Sequence, residues 1–177
     1  EMFYVTAPYS RWCKRNALMV IAVSLGLKVL WTLLSLPFVW IFDGVIGGLL
    51  TGFMVTTMKR HLNRKRRVRD VSIWFWFFGM GLLAVALSAY GIYSLSGIEL
   101  FQPIALAAFA LFALSIILGM IGKIVPFLIW FHLSAAGYMD TPIMSDIITH
   151  VRAKYLFLLF VLTALFTLFG MLYHPLF

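Results

Sequence analysis

Residues 16–58 read NALMVIAVSLGLKVLWTLLSLPFVWIFDGVIGGLLTGFMVTTM, a run in which Lys28 and Asp43 are the only charged residues. One transmembrane helix needs about 20 apolar residues, at 1.5 Å each, to cross a hydrocarbon core of roughly 30 Å. The run therefore holds two crossings. Dividing it at Asp43-Gly44 leaves pieces of 27 and 15 residues, whereas dividing it at Pro37 leaves 21 and 21. The second division suits a bilayer, and proline is a natural first residue of a helix. Helices are expected over about 15–36 and 38–61.

This hairpin has a consequence for its two charges. Lys28 lies nine residues before the turn and Asp43 six after it, so their depths differ by only roughly 4–5 Å. A charge at the bilayer centre costs at least about 2.5–3.5 kcal/mol, so each group needs a partner or water. Two readings stand. The pair is a structural tie that fixes the hairpin, or it belongs to a proton or ion path. The second helix also carries Gly44, Gly48, Gly52 and Thr56, each four residues apart. Such a row makes a groove of small residues, in which another helix can approach backbone to backbone.

Composition agrees with a membrane environment. The chain is 63% hydrophobic and 11% charged, with a mean hydropathy of +1.01, where a soluble domain is about a quarter charged. The formal charge of +8 is concentrated, since seven of the fourteen basic residues fall in KRHLNRKRRVRD, residues 59–70. A basic segment between two apolar runs is the mark of a cytoplasmic loop. Its Lys59, Arg60, Arg64, Lys65, Arg66, Arg67 and Arg69 are suited to anionic lipid headgroups. No aromatic-lined groove accompanies them, so nucleic acid is not an expected partner.

Beyond the loop, spans are expected at about 71–94, 103–136 and 155–173. WFWFF at 74–78 and the pair Tyr90 and Tyr93 resemble the two aromatic belts of a membrane helix. SGIELFQP at 96–103 makes a turn, with Pro103 opening the fourth helix. Ile143, Ile147 and Val151 recur every four residues in YMDTPIMSDIITHVRAK, 138–154, which suggests a short amphipathic helix on the membrane surface. With five spans, Arg11, Lys14 and Arg15, the 59–69 loop, and Arg152 and Lys154 all fall on one side. The amino terminus is then cytoplasmic. The expected fold is an all-α, polytopic transmembrane bundle of about five helices, residues 1–177 forming a single transmembrane domain.

The catalytic inventory is thin. Cys13 is the single cysteine, so neither an internal disulfide nor a thiolate cluster can form. No HExxH, P-loop, GxSxG or paired-carboxylate pattern is present. His61, His132, His150 and His174 sit in loops or at helix ends. In GMIGKIVPFLIWFH, 119–132, Lys123 comes about 20 residues after Pro103, roughly 30 Å along the helix. Lys123 and His132 therefore read either as interfacial anchors or as contacts for a ligand or cofactor.

The basic loop, RDVSIWFWFFGMGLLAVAL, KIVPFLIWFH and the following MDTPIMSDI together resemble the carboxyl-terminal part of a bacterial family. Its members are multi-pass proteins related to haem–copper oxidase subunit I and the NnrS type. The resemblance covers roughly residues 59–172 and is most distinctive from Lys123 to His132. It implies a bacterial inner-membrane protein of respiratory or nitrogen-oxide metabolism, with haem as a cofactor. It would also imply intramembrane histidines ahead of that segment, where this chain has FQPIALAAFALFALSIILG.

Three functions are thus expected to compete. The first is a non-catalytic accessory or assembly subunit of a membrane respiratory or metal-containing oxidoreductase complex, with other membrane subunits as partners. The second is a haem-binding redox protein with His132 as ligand. The third is a small transporter or channel using Lys28 and Asp43.

Overall fold

The structure is a computed structural model that describes residues 9–35, 40–63, 70–138 and 147–173. They form five helices: α1 (Arg11–Leu33), α2 (Trp40–Leu62), α3 (Val71–Ser96), α4 (Phe101–Ala135) and α5 (His150–Tyr173). No strand occurs among the described residues. All five helices are long and apolar enough to cross a membrane. The protein is an all-α, multi-pass membrane protein. Exposed Leu18, Leu33, Trp40, Leu106 and Phe166 form the kind of surface that such a protein presents to lipid.

The helices group into two compact units, Glu1–Arg67 and Val68–Phe177. The first is the α1–α2 hairpin. α1 stops at Leu33, and Ser35 takes a left-handed φ of 52° while its N–H bonds to the Thr32 carbonyl at 3.1 Å. Pro37, where the turn is expected, lies outside the described residues. Near the turn, the Trp31 and Phe42 rings meet edge to face at 5.8 Å. At the far end, Tyr9 bonds to the Thr57 hydroxyl at 2.6 Å and lies under the Arg60 guanidinium, 4.0 Å from the ring centroid.

The second unit packs α3, α4 and α5, with α3 against α4 as its most extensive contact. α3 begins on Asp70, whose carboxylate accepts from the Ser72 N–H at 3.0 Å, a side-chain cap that satisfies an otherwise orphaned donor. It ends on Gly97 at φ 70°, whose N–H returns to the Tyr93 carbonyl at 2.8 Å. Only glycine adopts that left-handed cap without a Cβ penalty. α4 starts at Phe101, two residues ahead of the expected Pro103. Proline fits there because a helix's first N–H groups have no partner to lose. It ends near Gly137, again left-handed at φ 79°.

α3 and α4 touch through small residues. A Cβ on Gly119 would lie 3.1 Å from both the Phe75 Cβ and the Ser72 carbonyl oxygen. One on Gly79 would lie 3.2 Å from the Ser115 Cβ. Buried Ser115 donates its hydroxyl across this seam to the Phe75 carbonyl at 2.7 Å. α5 is held by aromatic rings: Phe75 and Phe78 pack against Phe157 and Phe160 at centroid distances of 5.1–6.0 Å. WFWFF is therefore not wholly an interfacial belt, since Phe75 is buried in the core of the second unit. At the opposite end of the unit, Ala89, Ile104 and Ala105 are buried against Leu168 and Met171.

Of the surface helix expected within 138–154, residues 139–146 lie outside the described residues. Its last part is corrected: His150 to Lys154 are the opening turn of α5, continuous with the membrane span. A pattern of period four does not distinguish a surface helix from the leading turn of a longer one.

Candidate functional site

The polar centre of the second unit is an ion pair. Lys123, on α4, pairs with the carboxylate of Asp70, the cap of α3. The pairing follows from the hairpin. Lys123 is 22 residues after the start of α4 and Asp70 is 26 before the end of α3, a depth difference of roughly 6 Å. Burial pushes the Asp70 carboxyl up, but the Lys123 ammonium and the Ser72 N–H and hydroxyl outweigh it and hold the group below its ordinary value. Asp70 therefore stays ionised at neutral pH.

Around this pair α3, α4 and α5 leave a crevice of about 600 Å³. Asp70, Ser72, Lys123 and His150 supply its polar groups, while Val71, Phe75, Leu118, Ile121, Ala153 and Leu156 supply apolar wall. Pro126 is buried in α4 and lines the same space. Having no N–H, it gives the carbonyl of Gly122, another lining residue, no helical donor. A concave, mostly apolar site with a few convergent polar groups is the usual form of a small-molecule site.

Lys123 thus belongs to this site, but His132 does not accompany it. His132 lies exposed in the last turn of α4, nine residues beyond Lys123 and roughly 13 Å further along the axis. His150 reaches the crevice in its place. No sequence motif marked Asp70 or His150. For Asp70, the depth comparison that joined Lys28 to Asp43 would have found it.

In the first unit, Lys28 and Asp43 form an ion pair, with their side chains 31% and 20% exposed. Both lie within helices of membrane-spanning length. The charges are mutually neutralised, and the Lys28 carbonyl accepts from the Thr32 hydroxyl at 2.8 Å.

The row Gly44, Gly48, Gly52 and Thr56 is a different case. A Cβ on any of these three glycines meets no atom of α1 within 4 Å. The Thr56 hydroxyl turns back to the Gly52 carbonyl at 2.7 Å. The close packing of small residues is at Gly79, Ser115 and Gly119 instead. There Ser115 and Gly119 make a small-xxx-small pair on α4.

Of the basic loop, Lys59 and Arg60 are described and line a shallow recess with Thr56 and Asn63. Arg64, Lys65, Arg66, Arg67 and Arg69 lie outside the described residues, as does His174.

Among the described residues, no three of His, Cys, Asp and Glu gather where they would hold a metal ion. A haem, implied by the resemblance, finds no fitting ligand set around the ion pair among the described residues. His132 is exposed, and the histidine nearest the ion pair, His150, faces a crevice whose other polar groups are a carboxylate, a hydroxyl and an ammonium. No step is derived through that group.

No family model, no curated protein and no solved structure matches the chain.

Proposed function

We propose that the chain is a non-catalytic accessory or assembly subunit of a membrane respiratory or metal-containing oxidoreductase complex in a bacterial inner membrane. The observation that supports this reading is the glycine row of α2. Gly44, Gly48 and Gly52 leave a strip of backbone that α1 does not approach within 4 Å. In lipid, a strip of this kind is the preferred contact for a second transmembrane helix. The respiratory class rests on the resemblance carried by Lys123 to His132. The basic 59–69 loop would hold the subunit to anionic headgroups on the cytoplasmic side.

Affinity purification from native membranes in mild detergent, followed by mass spectrometry of the co-purifying chains, tests the proposal. A defined partner is expected with the wild type, and Gly48→Leu should release it while leaving membrane insertion intact. A lone monomer with no stoichiometric partner overturns the reading.

A further inference from the structure

We propose that the crevice around Asp70 and Lys123 is a binding site for a zwitterionic phospholipid with a primary ammonium headgroup, of the phosphatidylethanolamine type. The argument begins with charge. Asp70 and Lys123 place one negative and one positive group side by side, so the site as a whole does not favour a simple anion or a simple cation. A headgroup that itself carries both charges complements the pair, ammonium toward Asp70 and phosphate toward Lys123.

Hydrogen bonding narrows the choice. A carboxylate offers about four lone-pair sites, and Asp70 engages Lys123 and the Ser72 N–H and hydroxyl, which leaves room for one more donor. Gly122 lines the same space, and its carbonyl, to which Pro126 cannot donate, is a further acceptor at that level of α4. A primary ammonium has three N–H donors for these acceptors, whereas a quaternary choline has none. On the phosphate side, His150 joins Lys123 at the crevice and can donate from its ring.

The walls select a lipid over a soluble zwitterion. Ile121 and Leu156 line the crevice yet are 46% and 60% exposed. They lie on helices that span the membrane by length and composition. The space is therefore continuous with the lipid-facing surface, and an acyl chain can lie along Ile121, Leu156 and Ala153 while the headgroup sits at the helix ends.

The test uses the full chain in mild detergent with an equimolar mixture of phosphatidylethanolamine, phosphatidylglycerol and phosphatidylcholine of one acyl composition. Native mass spectrometry reads the bound lipid. Ethanolamine lipid is expected to exceed each of the others by roughly tenfold. Asp70→Asn should erase that preference, and Leu156→Trp, which fills the acyl wall, should remove the adduct with the headgroup pair intact. Equal binding of the three lipids, a preference for the glycerol lipid, or an undiminished preference in Asp70→Asn overturns the proposal. Should Asp70→Asn fail to fold, Leu156→Trp decides: an adduct that persists there overturns it, and a lost one supports it.

Discussion

Lys123 on α4 closes an ion pair with Asp70, the residue that also caps the amino end of α3. One carboxylate thus joins two helices and terminates one of them. Removing the lysine leaves a half-buried carboxylate held only by Ser72. Lys123→Met is expected to cost about 1–2 kcal/mol, between the values for exposed and fully buried pairs. A melting curve in detergent checks this.

The same pair predicts a pH dependence. Because the folded Asp70 value lies below the ordinary one, its contribution is fully present above the unfolded value, about 3.9. It is lost as pH falls through the folded value. Wild-type melting temperature should be insensitive to this group from pH 7 to about pH 4 and fall below that. In Lys123→Met the lysine's lowering effect is gone and burial pushes the carboxyl up, so the decline below about pH 4 should shrink or reverse. Identical profiles for the two proteins would refute the assignment.

Gly119 and Gly48 should respond in opposite ways to alanine. At Gly119 a Cβ would sit 3.1 Å from the Ser72 carbonyl and the Phe75 Cβ, and helix backbones do not yield as a side-chain tip does. Overpacking of that kind typically costs about 1–3 kcal/mol. At Gly48 nothing stands within 4 Å, so the substitution should be neutral or stabilise the isolated chain by up to about 1 kcal/mol through helix propensity. Thermal denaturation of both variants separates a packed glycine from an open one.

Ser115→Ala removes the hydroxyl that bridges to the Phe75 carbonyl. Interhelical bonds of this type in membrane proteins average about 0.6 kcal/mol and reach about 1.7. The carbonyl retains its own helical donor, so a loss near the lower figure is expected in a thermal or denaturant titration.

For Lys28 and Asp43, each single leucine variant should accumulate poorly in membranes, because it strands a charge within a span-length helix, at a cost of up to about 2.5–3.5 kcal/mol. The double leucine variant should recover most of the expression, as is expected of a structural tie. A double variant no better than the singles would show that the charges do more than neutralise each other.

The helices were legible because length is a strong constraint in lipid. The expected spans at 71–94 and 103–136 compare with Val71–Ser96 and Phe101–Ala135, and the turn between them was marked by SGIELFQP, 96–103, and its Pro103. Side-chain partners were less legible. Lys28 and Asp43 share a short hairpin in which no other charge competes, so arithmetic alone pairs them. Asp70 was hidden at the end of an arginine-rich run, where it reads as one more loop residue. WFWFF illustrates a different limit. Aromatic composition suits both an interface and a helix seam, and only the position of α5 decides that Phe75 faces Phe157. The division into two units was not legible, because apolar composition in a membrane chain is much the same in every helix.

α4 has 35 residues, about 52 Å of helix, against a hydrocarbon core of roughly 30 Å. Its tie to Asp70 sets Lys123 near the level where α3 begins, so the surplus falls at one end, from Lys123 to Ala135. That overhang carries Phe127, Trp130 and Phe131 in ring contact and has Pro126 at its root. A thicker membrane wets less of the overhang and a thinner one wets more, so Trp130 is the residue whose surroundings register the change.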